Sequence, residues 1–271
     1  MKLIIFISIV LILVIVALLI TYFHTKSLLV KKYTIKDKNV LNYDNEKYQI
    51  KILFFSDLHI GKTLKKKNLK RFVSYLLSFK ADLYIFGGDI IGDNIKKYYA
   101  IADVKECFLP LKDKCCIAVY GNHEFKNEKN ITIAEKLKYF EAMGFNTLNN
   151  EEFVFFKNNN FIKIYGMNDI IYNELKLPSK EYDLVICHEG DIINKMSNQI
   201  LLSGHTHGGQ IRIPFLPYIY LPKYGKEYVS GLYNVDNNKI IVSNGVGCNK
   251  FNIRFFAKRD IILINYIKWK E

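Results

Sequence analysis

From Leu3 to Ile20 the chain runs LIIFISIVLILVIVALLI, eighteen positions with one polar side chain, Ser8. A run apolar on every side predicts a helix that faces lipid rather than one with a core face. At 1.5 Å per residue it spans about 27 Å, close to a hydrocarbon core of roughly 30 Å. A cleaved signal peptide is the competing reading, but its apolar region is usually about 7–15 residues and ends in a small-x-small site. Here Thr21-Tyr22-Phe23-His24 follows instead. The pattern therefore predicts an uncleaved transmembrane anchor over 1–24, with Tyr22 and Phe23 at the interface. Lys26, Lys31, Lys32 and Lys36 follow the helix, whereas Lys2 precedes it. By the positive-inside rule this places the large domain on the cytoplasmic side.

Residues 25–49 are polar and lysine-rich, and read as a linker with one short strand near Tyr33–Ile35. From 50 to 271 the pattern changes. Short apolar runs each end in a cluster of Asp, His, Asn and Gly: Ile52–Phe55, Leu83–Phe86, Cys116–Tyr120, Leu184–Cys187 and Ile200–Leu202. Runs of this length bounded by turn residues predict buried strands. Between the early ones lie helical patterns over Leu64–Phe79, Tyr98–Leu109 and Ile131–Met143, the last followed by Gly144, where a left-handed cap would sit. On the first of these, Leu69, Phe72, Val73, Leu76 and Leu77 share one face. Alternating strand and helix predicts an α/β fold with ligands at the strand C-terminal ends. Two hairpins, Phe153–Phe156 with Phe161–Tyr165 and Tyr228–Asn234 with Ile240–Val242, precede a final strand at Asp260–Ile267.

A net charge of +13 in 271 residues favours anionic partners such as phosphorylated substrates and acidic headgroups. The lysines are scattered rather than clustered, so the charge marks out no obligate nucleic-acid partner. Five cysteines without a CxxC spacing exclude a disulfide framework and a thiolate zinc site, and suit free thiols in a reducing compartment.

Five of the six histidines stand at strand ends. His59 follows Asp57 in Asp57-Leu58-His59, whose i, i+2 spacing points both side chains to one side of an extended chain. Asp89 follows two glycines, which let the backbone approach closely. Asn122 and His123 lie in Gly121-Asn122-His123-Glu124, and His188 ends its own strand. His205 and His207 form an HxH within Gly204-His205-Thr206-His207-Gly208-Gly209. Each motif alone is commonly a polar turn, the HxH least so. Together they offer about seven oxygen and nitrogen donors and no thiolate, which suits Mn²⁺, Fe or Zn²⁺ in a catalytic site. Seven donors exceed the need of one ion. Two ions roughly 3.5–4 Å apart suit an in-line displacement at phosphorus.

Asp57-x-His59, Gly88-Asp89, Gly121-Asn122-His123-Glu124, His188 and Gly204-His205-x-His207, in this order, resemble the calcineurin-like metallophosphoesterases. The longer strings Gly204–Pro214, Val242–Gly247 and Ile253–Phe256 resemble its membrane-associated branch, which includes hydrolases of UDP-2,3-diacylglucosamine in lipid A synthesis. The resemblance implies a four-layer α/β/β/α sandwich preceded by the transmembrane helix. It also implies roles: Asp57, His59 and His207 on one metal; Asn122, His188 and His205 on the other; Asp89 bridging; His123 as general acid or as a stabiliser of the phosphoryl oxygens. It departs at Glu189-Gly190-Asp191, where relatives often carry a Pro-Asp pair one residue after the histidine. Arg254 is a candidate for a second phosphate of the substrate. Ile211 to Tyr224, apolar and proline-punctuated, is either a lip of the site or a core-packing segment. The expected function is hydrolysis of a phosphodiester or diphosphate on a membrane-associated, lipid-linked substrate. Soluble-substrate phosphodiesterases or nucleases, phosphoprotein phosphatases and a non-catalytic scaffold are the rivals.

Overall fold

The computed structural model describes residues 1–36, 47–61, 63–92 and 95–269. Helix α1 (Lys2–Lys26) is exposed along almost its whole length, and is long and apolar enough to cross a membrane. A strand, β1 (Leu28–Lys36), follows directly. The predicted short strand is thus nine residues long and belongs to the domain's sheet rather than to a free linker; 37–46 lie outside the described residues.

Two six-stranded sheets make up the domain. The first also contains β2 (Lys47–Phe55), β3 (Leu83–Phe86), β4 (Cys116–Ala118) and β5 (Asn146–Thr147). The second contains β6 (Glu151–Lys157), β7 (Asn160–Gly166), β8 (Leu184–Ile186), β9 (Ile200–Ser203), β10 (Gly231–Val235) and β11 (Asn238–Val242). The last strand, β12 (Arg259–Trp269), returns to the first sheet, giving the order β1-β12-β2-β3-β4-β5 beside β10-β11-β9-β8-β7-β6. β2, β3, β4 and β5 run parallel, as do β7, β8, β9 and β11; β12 is antiparallel to β2 and parallel to β1.

The residue patterns explain the layers. β3 and β4 are buried on both faces, and so are continuous apolar runs rather than alternating ones. Helix α2 (Lys66–Ser78) buries Leu69, Phe72, Val73 and Leu76, the stripe read from the sequence. With α3 (Ile95–Tyr98), α4 (Ile101–Phe108), a four-residue α5 (Asn122–Phe125) and α6 (Ile133–Glu141), it covers the outer face of the first sheet. Thr132 and Glu135 start α6 as a reciprocal capping box. The outer face of the second sheet packs against a 3-10 helix, Gly190–Lys195, and against loops carrying Met167, Ile170 and Tyr224.

Between the sheets, Ile52, Phe54, Ile85 and Ile264 of the first meet Ile164, Ile186, Leu202 and Ile241 of the second, all fully buried. This dry layer fixes the sheets face to face and brings the C-terminal ends of their parallel strands to one end of the molecule. Ile264→Ala, at the centre of this layer, is expected to lower the unfolding free energy by about 2–5 kcal/mol. Denaturant unfolding checks this, and a loss well under 1 kcal/mol would mean that the layer is less tightly packed than described.

Candidate metal centre

The end of β2 delivers Asp57 and His59, β3 delivers Asp89, and β4 leads into Asn122 and His123. From the facing sheet, β8 delivers His188, and β9 delivers His205 and His207. The two sets close on each other across the junction of the sheets. His207 Nε2 lies 3.4 Å from Asp57 Oδ1 and 3.0 Å from His59 Nε2. Asp89 Oδ2 stands between His59 Nε2 at 3.6 Å and His188 Nε2 at 3.2 Å.

The backbone is bent to achieve this. Asp57, His59, Asp89, His205 and His207 all have φ between 42° and 72°. Left-handed conformations at non-glycine residues are uncommon, and cost roughly 1–3 kcal/mol each where they are strained. Five of them at one cluster of donors mark a functional site. Space is cleared as well. A Cβ on Gly204 would meet Asp57 Oδ2 at 2.5 Å, and one on Gly121 would strike the Asp89 carboxylate.

Three overlapping groups of side chains could each hold a cation among the described residues: Asp57, His59 and His207; His59, Asp89 and His123; and Asp89, His188 and His205. The hydrogen bonds around them suit that use. His59 Nδ1 lies 3.0 Å from Ile91 O, His188 Nδ1 2.6 Å from Gly87 O, and His205 Nε2 2.9 Å from Lys223 O. Each carbonyl accepts that ring's N–H, so the other ring nitrogen keeps its lone pair and faces the cluster, the usual arrangement around a metal-ligating histidine. Asn122 Oδ1 and His188 Nε2 are buried with no protein hydrogen-bond partner. Unpartnered buried polar atoms are costly, and a cation would satisfy both. The Asp and His residues expected as ligands are brought together here, and their oxygen and nitrogen donors fit divalent cations.

Burial is the largest electrostatic influence on these side chains. Burial pushes the Asp57 carboxyl up, against the pull of His188. Burial likewise lowers His205 to about 3, with His188 adding to the effect. His207 is held well below the ordinary imidazole value, first by burial, then by His59 and Arg254. A neutral imidazole is the form that binds a metal. His123 is also lowered to about 3 by burial, against the opposing pull of Asp89. Its ring stands edge-on to His59, with centroids 4.6 Å apart, and its backbone N–H donates to Asp89 Oδ1 at 2.8 Å.

Arg254 is a correction. It is fully buried and does not face a substrate. Its guanidinium donates to the carbonyls of Asn244, Gly245, Gly247, Ala257 and His207, and Nη2 lies 3.2 Å from His207 Nδ1. It backs His207 on the side away from the cluster. In the segment from Ile211 to Tyr224 only the end, at Tyr224, packs against the core: Phe215 is 105% exposed, and Leu216, Ile219 and Tyr220 are 60%, 64% and 70% exposed.

Sequence reasoning gave Glu124 no role. Its buried carboxylate accepts from the backbone N–H groups of Asp89 (3.0 Å), Ile90 (2.9 Å), Ile91 (3.3 Å) and Gly121 (2.8 Å). It therefore clamps the turn that carries Asp89 onto the turn that carries Asn122. Burial, reinforced by the Asp89 charge, pushes its pKa up to about 8 against those donors. The available signal was its position three residues after Gly121, at the start of a helical turn. At the departure from the family pattern, Glu189 is buried near Cys187, and Asp191 accepts from the backbone of Lys226, Glu227 and Tyr228.

A family model described as calcineurin-like phosphoesterase matches residues 50–209. Over 224 residues the chain is 30% identical to the Bacillus subtilis (strain 168) protein named uncharacterized metallophosphoesterase YkuE, covering 78% of this chain and 77% of that one. It is 29% identical over 229 residues to phosphodiesterase YaeI of Escherichia coli (strain K12), covering 80% and 82%. An uncharacterized metallophosphoesterase of Aquifex aeolicus (strain VF5) is 27% identical over 263 residues, covering 90% and 94%.

Glu124→Gln replaces one of the two accepting oxygens with an NH₂ that faces two of the four backbone donors, and so loosens the clamp. It is expected to weaken Mn²⁺ binding about 10- to 100-fold, as loss of an outer-shell partner does, without unfolding the chain. Calorimetric titration with Mn²⁺ and circular dichroism test this together; unchanged affinity would remove the clamp from the account.

Proposed function

The chain belongs to the calcineurin-like phosphoesterase family, and on that premise we propose that it is a two-metal phosphodiesterase working at a membrane surface. The observation that carries the reading is the convergence of buried Asp57, His59, Asp89, His188, His205 and His207 in overlapping groups that could hold cations, with the Asn122 Oδ1 atom buried and without a hydrogen-bond partner. By the resemblance, Asp57, His59 and His207 would hold one ion and Asn122, His188 and His205 the other, with Asp89 as a ligand shared by both. Divalent cations bound there, Mn²⁺, Fe or Zn²⁺ by donor chemistry, would supply an activated water as nucleophile and neutralise charge on the phosphoryl oxygens.

The chain's own residues set the geometry and the proton traffic. With its pKa lowered to about 3, His123 is neutral near pH 7. It therefore acts as an N–H donor to the phosphoryl or leaving oxygen rather than as an imidazolium acid. Lys136, fully buried, donates to the His123 carbonyl at 3.0 Å and to the Lys126 carbonyl at 2.8 Å, fixing the turn from which the ring projects.

A diester substrate is supported by the name of the Escherichia coli relative, phosphodiesterase YaeI. A membrane-associated, lipid-linked one is supported by α1, read as an anchor, and by exposed apolar side chains on the loop that begins at Ile211, shortly after His207. The lysines after α1 and five free cysteines favour a cytoplasmic catalytic domain.

The full chain in detergent, supplied with Mn²⁺, is expected to cleave bis(p-nitrophenyl) phosphate in preference to p-nitrophenyl phosphate. Asp89→Ala should abolish turnover. His123→Ala should retain metal and lose about 10²–10³ in kcat, as loss of a preorganised donor does. Preference for the monoester would favour a phosphatase, and turnover of neither ester with metal bound would favour a scaffold. UDP-2,3-diacylglucosamine and other membrane phosphoesters are the substrates to assay next, against soluble diesters.

A further inference from the structure

We propose that the loop 211–221, together with 251–256, is seated in the bilayer that holds α1, so that the mouth of the metal centre lies at headgroup level. The inference rests on the reading of Lys2–Lys26 as an anchor, and is independent of which ester is cleaved.

The base of α1 is fastened to the segment beside the centre. Arg254 N donates to Thr25 Oγ1 at 2.8 Å, and Phe256 N donates to His24 Nδ1 at 2.8 Å. The rings of His24 and Phe256 meet edge-on with centroids 5.3 Å apart, and Arg259 donates to the Thr25 carbonyl. That segment is strapped in turn to the start of the loop: Ile211 bridges Phe255, Arg212 N donates to Phe255 O at 2.8 Å, and Phe255 N donates to Gln210 O at 3.0 Å. The apolar surface is therefore continuous with the point where the helix leaves the domain.

The exposed side chains are large and apolar. Ile213, Phe215, Leu216, Ile219 and Tyr220 project from the loop, and Phe251, Ile253 and Phe256 from its neighbour. Scattered exposed apolar residues are ordinary, but a concentration like this marks a surface that is covered in use. The charged residues among them are all basic. Arg212 lies over the Tyr218 ring at 5.2 Å and Lys223 over the Tyr224 ring at 4.8 Å, with Lys250 and Lys258 in the neighbouring segment. No acid occurs in 211–224 or 249–258. Apolar and aromatic side chains interspersed with cations suit an anionic lipid interface. A second protein copy would bring its own net charge of +13 against this surface.

Both ends of the loop are tied to the centre. It leaves just after His207 and returns so that the Lys223 carbonyl meets His205 Nε2 at 2.9 Å. Its middle lies against the same motif, since a Cβ on Gly209 would meet the Tyr218 ring at 2.6 Å. Asp191 pins the far end through the backbone N–H groups of 226–228. Seating the tip in lipid therefore sets the depth of the HxH motif.

Depth-dependent fluorescence quenching of the full chain in phosphatidylglycerol-containing vesicles tests this. The chain's one tryptophan, Trp269, pairs with Lys47 at the far end of the first sheet and serves as an internal reference. Phe215→Trp substitutes an exposed side chain and leaves the centre intact. Its added emission is expected to be blue-shifted and to fall severalfold when the lipids carry brominated acyl chains. Emission from the wild type and from Phe156→Trp, at the opposite end of the second sheet, should stay unquenched. A blue shift without quenching would assign the surface to protein contact and overturn the proposal. Red-shifted, unquenched emission would place the loop in water and overturn it while leaving the anchor. A chain that does not float with the vesicles would overturn the anchor and the inference together. Diester hydrolysis measured on the same vesicles stands or falls separately.

Discussion

Asp57, Asp89 and Glu124 are carboxylates buried around one small volume, and the rest of the structure answers to the cost of putting them there. Burying a charge is expensive unless it is paired or hydrogen-bonded. Glu124 is offset by four backbone donors, and those donors belong to the two turns that carry Asp89 and Asn122. Asp57 receives the His205 amide and the Ser56 hydroxyl, at 2.5 Å from the latter. Asp89 Oδ1 receives the His123 amide at 2.8 Å, and Oδ2 lies 3.2 Å from His188 Nε2. Glu124 joins the ends of β3 and β4 within the first sheet, whereas the His205–Asp57 and His188–Asp89 contacts cross to the second, so part of the electrostatic demand is met by bonds that also join the sheets.

The strands, the helices over the first sheet and the converging ligands were legible because their signals are local. A buried parallel strand is a continuous apolar run, and a functional turn at its end is a cluster of Asp, His, Asn and Gly. What was not legible depends on long-range partners. The segment holding β1 reads as a lysine-rich linker, since its pairing with β12 joins residues more than two hundred positions apart. Arg254 in Asn-Ile-Arg-Phe-Phe gives no sign of whether it meets water, a substrate or five carbonyls. Glu124 was visible as part of a motif, but its use as a clamp needs the Asp89 turn in three dimensions.

The loop from Ile211 to Tyr224 is instructive for the opposite reason. Its composition favoured burial as much as exposure, and prolines at 214, 217 and 222 stop it from forming a strand or helix with a definite face. Only the packing decides: the outer face of the second sheet is already covered by Met167, Ile170, Ile192 and Ile193, so the loop's apolar side chains have no core to enter.

Arg254 joins these threads. Its backbone N–H holds Thr25 at the base of α1, while its guanidinium holds the His207 carbonyl and approaches the ring. A lysine could not do the same, because a single ammonium cannot present fixed planar donors to five separate carbonyls. The cation has a second effect: after burial and His59, it adds to what lowers the pKa of His207. The link from helix end to ligand is thus one residue long, with rigid hydrogen-bonded contacts on both sides. A helix that fixes the height of Thr25 relative to a membrane also fixes the height of His207, and with it the level at which a phosphoester must be presented.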